Sequence, residues 1–356
     1  MRDVAVVSFA QSPCQAANRR DDMADILLPV IREAVYAAGI GRDDVDFVVS
    51  GSHDFYEGRT FSYIESLDAV GAWPPISESH VESDAAWALA EAWSWLQLGE
   101  GDIALVYGIG RGSLPADLDQ VVPAQLDPYF LAPLAPHRDA IAGLQAHAAI
   151  EAGLTSEQGM AEVVVRCLDA ATGNPLAQRS GQVDVARLLD APYVSSPLRE
   201  HDVAPIGDAA AVVVLAADDA ARRLAERPAW VRGLDHRMDT HYPGVRDLTT
   251  SPSTRRAVGR AAELAGFTTS DVDIAELHTE YSHQEAILTN ALELNGAVVN
   301  PSGGPLAGRP VTATGLIRIG EAARQIRDGN ADRALAHATS GQALQQNLVC
   351  LLEGDG

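Results

Sequence analysis

Five side chains that carry or hold protons fall within one short stretch, Glu276-Leu-His278-Thr-Glu280-Tyr281-Ser-His283. Two carboxyls, two imidazoles and a phenol so close together make a candidate acid/base site. The same residues would also suit the cap and solvated first turn of a helix beginning near Ser282. A second pair of carboxyls, Glu82 and Asp84, precedes the apolar run Ala85-Ala-Trp-Ala-Leu-Ala-Glu-Ala-Trp-Ser-Trp-Leu-Gln-Leu98. At a helix N-terminus the backbone dipole favours an anion or an activated nucleophile, and Asp84 equally suits an N-cap. A third stretch, Asn300-Pro-Ser-Gly303-Gly304-Pro-Leu-Ala-Gly308-Arg309-Pro-Val-Thr312-Ala-Thr-Gly315, is glycine-rich and leads into a helix. Its glycines let backbone N–H groups approach a ligand carbonyl or phosphate, with a plain glycine turn as the structural alternative. All 26 cationic side chains are arginine, so no Schiff base can form on a lysine. The three cysteines, Cys14, Cys167 and Cys350, form no CxxC or zinc spacing. Metal-ligand spacing is absent elsewhere too.

These residues need a scaffold, and the hydrophobic pattern supplies one. The run from Ala85 to Leu98 is apolar on nearly every face, which predicts a central helix in a large core, stopped by Gly99. The residues before it, from Ser79, read as a turn, and Ile103–Tyr107 as a buried strand. Earlier, Val4–Phe9 reads as a strand, Asp22–Ala38 as a helix, Val45–Ser50 as a strand and Thr60–Val70 as a helix, followed by the breaker Trp73-Pro-Pro. Residues 110–197 are rich in proline, with helices near Ala140–Ala152 and Glu157–Ala171, and read as a covering region over a substrate. Asp208–Ala216, Val272–Ala275 and Leu348–Leu352 read as strands.

The chain also repeats itself. Ala34-Val-Tyr-Ala-Ala-Gly39-Ile-Gly-Arg-Asp-Asp-Val45-Asp46-Phe matches Ala261-Ala-Glu-Leu-Ala-Gly266-Phe-Thr-Thr-Ser-Asp-Val272-Asp273-Ile without a gap, at an offset of 266 − 39 = 227. Leu98-Gly99-Glu-Gly-Asp102-Ile-Ala-Leu matches Asp328-Gly329-Asn-Ala-Asp332-Arg-Ala-Leu at 332 − 102 = 230. Two ordered matches at nearly one offset predict two alternating strand–helix halves. Residues 1–220, with the covering region inside, and 221–356 are the expected units, each a mostly parallel sheet. Ligands sit at strand carboxyl ends in such sheets. Those ends are Gly51–Asp54, Glu276–His283 and Thr339–Gln345, together with the helix start at Glu82–Ala85.

The 356 residues carry 26 Lys+Arg against 49 Asp+Glu, a formal charge of −23. That balance argues against nucleic-acid or anionic-membrane partners. No apolar run is long enough to span a bilayer, the N-terminus is too short and too soon charged for a signal peptide, and the cysteine usage suits a reducing cytoplasm.

Jointly, His80-Val-Glu82, Gly207-Asp-Ala-Ala-Ala-Val-Val-Val, Glu276-Leu-His278, Asn300-Pro-Ser-Gly-Gly and Ala313-Thr-Gly315 resemble the thiolase superfamily. Within it they look most like the sterol-carrier-protein-type thiolases and the actinobacterial lipid-transfer-protein branch. The resemblance covers essentially the whole chain. It implies an α/β fold of two related halves in a five-layer αβαβα sandwich, an acyl-CoA substrate, and no covalently bound cofactor. It also implies a homodimer through a sheet edge, or a heteromer with a zinc-ribbon/OB-fold protein or a thiolase-like paralogue.

The departures from the family pattern bear on chemistry. A thiolase carries its nucleophilic cysteine just before the central helix, where this chain reads Glu82-Ser-Asp84-Ala-Ala-Trp87. The family's Gly-His-Pro is Gly308-Arg309-Pro310 here, and the C-terminal glycine-rich turn reads Ser340-Gly-Gln342 in place of a cysteine motif. Without a thiolate to hold an acyl group, thiolysis loses its first step. Related lipid-transfer-like proteins are retro-aldolases of steroid side-chain degradation, which cleave a β-hydroxyacyl-CoA with acids and bases alone. The expected catalytic set is Tyr281 with His278, then Glu280, His283, Glu82 and Asp84. The expected substrate-binding set is Asn300, Gly303, Gly304, Arg309 and Gln342. Arg19, Arg20, Arg138 and Arg309 are candidates for the CoA phosphates. Two other readings stand beside this one: a non-catalytic thiolase-like subunit, and a true acetyl-CoA acyltransferase using Cys14.

Overall fold

The computed structural model describes residues 1–58, 60–71, 77–114 and 118–355. Trp73-Pro-Pro lies outside them. In the first half the sheet strands are β1 (Val4–Gln11), β2 (Phe47–Ser52), β3 (Ser77–Glu82), β4 (Ile103–Arg111) and β5 (Asp208–Ala217). In the second they are β6 (Ala229–Met238), β7 (Ile274–Glu276), β8 (Val298–Val299), β9 (Arg333–Ser340) and β10 (Gln346–Glu353). The helices that matter here are α1 (Met23–Ala37), α2 (Ile64–Val70), α3 (Ala85–Leu98), α4 (Ala140–Glu151), α5 (Glu157–Ala170), α6 (Pro252–Ala265), α7 (Gln284–Ala291) and α8 (Thr314–Arg327).

The strand order is β8-β7-β9-β10-β6-β1-β5-β4-β2-β3. It reads as the same five-strand plan twice, facing outward from a centre where Ala5 pairs with Trp230 and Val6 with Ala229. The sheet is mixed rather than mostly parallel. β2 is parallel to β3 and β4, but β5 runs antiparallel to both β1 and β4. The second half repeats this, with β10 antiparallel to β6 and β9. β10 follows β9 through the short turn 341–345, whereas β5 follows β4 only after the whole covering region, so neither is reached by the single crossover helix of a parallel pair.

The repeat seen in the sequence has a common physical basis in both halves. The Asp46 carboxylate accepts from the N–H groups of Asp102 and Ile103, at 2.8 and 3.0 Å. The Asp273 carboxylate accepts from Asp332 and Arg333, at 2.9 and 3.0 Å. In each half one aspartate therefore ties the start of the second strand to the start of a neighbour.

Alternation along the strands sorts the core into layers. Val4 and Val6 of β1 pack with Ala85, Leu89 and Leu96 of α3 and Leu316, Ile319 and Ile326 of α8 in a central core. Ala5 and Val7 point the other way, onto Met23, Leu27 and Val30 of α1. Leu335, Val349 and Leu351 of the second half pack on α6 and α7. The order is helix, sheet, helix, sheet, helix, with α3 and α8 between the two sheet halves. Gly51 permits the close approach of β2 to α3: a Cβ there would lie 2.5 Å from the Ala85 Cα. The stretch before α3, expected as a turn, is the edge strand β3, with Ser77, Glu78 and Glu82 exposed and Ser79 and His80 half-buried. No helix among the described residues is long and apolar enough to cross a membrane.

Candidate active site

One cavity of about 500 Å³ opens where the carboxyl ends of both halves meet. Its walls come from α3, from Glu280–Tyr281 after β7, from Arg309–Thr312 before α8, and from the turn after β9. The covering region closes it through residues 118–139 and 178–206.

Asp84 reaches this cavity although it is almost fully buried. It is the N-cap of α3, accepting from the Ala86 N–H at 2.8 Å through Oδ1. Its other oxygen, Oδ2, accepts from the Gly315 N–H at 2.7 Å, in the first turn of α8. Two helix N-termini thus converge on one carboxyl. Gly315 has to be glycine for this: a Cβ would sit 2.5 Å from Asp84 Oδ1. Burial nevertheless pushes the Asp84 pKa up to about 7, against the pull of the Ala86, Gly315 and Leu316 N–H groups, and Glu280 adds to the rise. A carboxyl poised there can give or take a proton near neutrality.

Glu280 and Arg309 form an ion pair in the cavity wall. The segment 204–207 stitches them together, since Ala204 N–H donates to Glu280 O at 2.8 Å and Arg309 N–H donates to Pro205 O at 2.9 Å. His278 is buried behind them. Its Nδ1 accepts from the Thr339 N–H at 3.3 Å, so the proton belongs on Nε2. Nε2 has no hydrogen-bond partner and lies 3.9 Å from Glu280 Oε1. Burial, then Arg309 and His337, hold its pKa well below the usual 6.5, so His278 is a neutral N–H donor rather than a cation.

The Tyr281 hydroxyl donates to Asp139 Oδ1 at 2.9 Å, and both residues line the cavity. Burial, then the charges of Asp139 and Glu280, push the phenol well above its usual 10. A free phenolate base is therefore disfavoured, and Tyr281 works only with an acceptor such as Asp139. Arg138 and His137 stand 3.6 Å from the same carboxylate, toward the exposed end of the cavity.

Several expected site residues lie elsewhere. Glu82 does not line the cavity; it is half-exposed, accepts from the Asp54 N–H at 2.7 Å and lies 3.8 Å from His53 Nδ1. His283 is fully buried against Gln145, with Nε2 3.1 Å from Gln145 Oε1, and burial takes its pKa down to about 3. Asn300 accepts from the Leu277 N–H at 2.6 Å and shapes its own turn. Gly303 and Gly304 have left-handed φ of +97° and +62°, and Cβ atoms there would strike Ala171 and Asn300, so these glycines serve backbone packing. Gln342 does line the cavity, as does Arg138, while Arg19 and Arg20 are exposed away from it.

The cysteines are equally displaced. Cys14 donates to Gln178 Oε1 at 3.4 Å behind Gly207 and Gly308, outside the cavity wall, and burial pushes its pKa up to about 12. Cys167 and Cys350 are buried in the core with pKa values also pushed to about 12. No thiol faces the cavity among the described residues, which removes the basis for a thiolase using Cys14.

Asp139 and Tyr56 were not singled out by the sequence. Asp139 sits in an irregular stretch and ends up as the residue preceding α4, with no local signal of its role. Tyr56 lies in the short helix Asp54–Glu57 just after the strand end at Gly51–Asp54, the one hint that it would face a ligand.

No protein-family model matches the chain. It is 28% identical over 369 residues to an acetyl-CoA acetyltransferase of Methanothermobacter thermautotrophicus, covering 96% of this chain and 95% of that protein. Human mitochondrial 3-ketoacyl-CoA thiolase superposes over 100% of this chain and 99% of its own, with a TM-score of 0.80 at 16% identity. The fold is that of the thiolases. A second solved structure of this thiolase-like fold, the "Ltp2-ChsH2(DUF35) aldolase", superposes with a TM-score of 0.83 at 18% identity, covering 99% of this chain and 98% of that one. Together these likenesses support a place in the thiolase superfamily.

Proposed function

We propose that this protein is a retro-aldol carbon–carbon lyase acting on a β-hydroxyacyl-CoA. The observation that carries the reading is Asp84: a carboxyl with a pKa near 7 at the junction of two helix N-termini, in a cavity with no thiol among its described walls. The superposable aldolase supports the reaction class.

In this reading the substrate's β-hydroxyl lies at Tyr281. Tyr281 Oη takes the hydroxyl proton as its own proton passes to Asp139, so no free phenolate forms. The Cα–Cβ bond breaks, giving a ketone or aldehyde and the enolate of a shortened acyl-CoA. The Arg309 guanidinium, which lines the cavity, holds the enolate oxygen, and the neutral Nε2–H of His278 stands behind it. Protonated Asp84 delivers its proton to Cα, and the proton on Asp139 returns to Asp84 through solvent. Neither a lysine nor a covalent intermediate is needed. Arg138, beside the exposed end of the cavity, is the candidate for the CoA phosphates.

The partner follows the same likeness. We expect a heteromer with a zinc-ribbon/OB-fold protein of the kind named DUF35 in the aldolase complex, built on a homodimer or on pairing with a paralogue, and a cytoplasmic location. The test is to incubate the protein, alone and with such a partner, with β-hydroxyacyl-CoA thioesters, and to analyse products by mass spectrometry. Equimolar carbonyl compound and shortened acyl-CoA are expected. Absence of both in either setting, with a stable complex to a thiolase-like paralogue, would replace this reading with that of a non-catalytic subunit.

A further inference from the structure

The turn between β9 and β10 is bent in a way that L side chains resist. Gly341 has a φ of +77°, and two successive non-glycine residues, Ala343 and Leu344, have φ of +52° and +59°. Left-handed backbone at two neighbouring residues bearing Cβ atoms persists only where surrounding contacts impose it. This turn is also a wall of the cavity, to which Ser340, Gly341, Gln342 and Gln345 contribute.

Side chains capture three carbonyls in a row. Arg246 Nη2 donates to Gln342 O at 2.7 Å and Arg246 Nη1 to Ala343 O at 3.2 Å. Asn347 Nδ2 donates to Leu344 O at 2.8 Å. From the other side the turn is anchored by burial: Ala343 packs with Leu126 and Ile141, and Leu344 with the core beneath α6 and α7. Arg246 follows the short turn Pro243–Val245, is half-buried, and does not itself line the cavity. Its forked guanidinium holds two adjacent carbonyls at once, a geometry that an ammonium cannot reproduce.

We infer that Arg246 is a positioning residue that locks the strained 341–345 turn and thereby shapes the wall against which the acyl thioester binds. This rests on the cavity being the thioester site proposed above. Arg246 thereby serves binding, not proton transfer.

The test uses Arg246→Met and Arg246→Lys in the full-length chain, with two readouts. The first is amide hydrogen exchange. In Arg246→Met the amides of residues 342–345 should exchange at least about tenfold faster, from loss of charge-assisted bonds, while the β9 and β10 ladder keeps its protection. Unchanged exchange in the turn would overturn the inference, as would a uniform loss of protection across the second half. The second readout is kinetic. KM for the thioester should rise about tenfold in Arg246→Met with kcat within about threefold and the pH profile unmoved, and Arg246→Lys should recover part of the loss. A fall in kcat at constant KM would overturn it. If the wild type cleaves no thioester, the lyase reading fails, and the exchange measurement still decides the clamp.

Discussion

Two polar clusters gather around the end of β7, and only one of them reaches the cavity. In the first, Glu276 accepts from the Ser302 N–H and Oγ–H at 3.0 and 2.9 Å and from Arg318 Nη1 at 2.5 Å, while Arg318 also donates to Ser302 at 2.7 Å. Glu276 and Arg318 pair in the interior away from the cavity, with the Arg318 Nε left unpartnered, and fix the Asn300–Gly304 turn. In the second cluster, Asp84, Glu280, Tyr281 and Arg309 line the cavity, the Asp84 pKa is pushed up to about 7, and His278 stands behind them with its Nε2 unpartnered. The difference teaches that charge density alone does not mark a reactive site. A carboxylate matched by a buried cation builds scaffold. A carboxyl stranded beside a cavity is the one set up to exchange protons.

Substitutions can break this contrast at either side. Asp84→Asn should lower kcat on the order of 10²–10⁴-fold by removing the acid; the amide oxygen keeps the cap of α3 while its NH2 meets the Gly315 N–H, so some stability is lost with the fold retained. Steady-state kinetics against thermal unfolding separates the two effects. Arg318→Met should do the reverse. It leaves Glu276 buried without its cation and should cost about 3–5 kcal/mol of stability in a denaturant titration, while activity per folded molecule stays near wild type. Tyr281→Phe and Asp139→Asn should each lower kcat on the order of 10²-fold, and the double variant should lose little more, because the two act as one relay.

The pH dependence follows from the sign of the Asp84 shift. Its carboxyl titrates near 7 when folded and near 3.8 in an ordinary setting, so between these values the folded state binds more protons than the unfolded one. The stabilising contribution is full below about 3.8 and is lost as pH rises through about 7. Wild type should therefore lose stability relative to Asp84→Asn over that window, read as the difference in unfolding midpoint. As an acid, Asp84 should also give kcat a falling limb above about pH 7, absent in Asp84→Asn. The smallest effect expected is that of Cys14→Ser, which should leave turnover unchanged.

Much of the frame could be read from residue order. The 227-residue repeat reappears as the paired capping contacts of Asp46 and Asp273, because each half needs the same tie between strand starts. The apolar run at Ala85–Leu98 is the helix expected, since a segment apolar all round has only the interior to occupy. The division of labour among the polar residues was less legible. Alternation along an extended segment puts 276, 278 and 280 on one face, yet β7 ends at Glu276 and the chain then turns, sending Glu276 to Arg318 and Glu280 to Arg309. The partner of Tyr281 is 142 positions away in the covering region, and no local pattern announces it. His283 shares the spacing of the reactive residues, but the start of α7 carries it into the core against α4.

The central claim is that chemistry here proceeds by proton transfer at Asp84 without an acyl-enzyme. Intact-protein mass spectrometry during turnover of a β-hydroxyacyl-CoA tests it most directly, with released products quantified in the same sample. The account predicts an unmodified protein mass throughout, with one carbonyl compound formed per shortened acyl-CoA. A protein mass raised by an acyl group, discharged by free CoA and mapped to a cysteine, would contradict it.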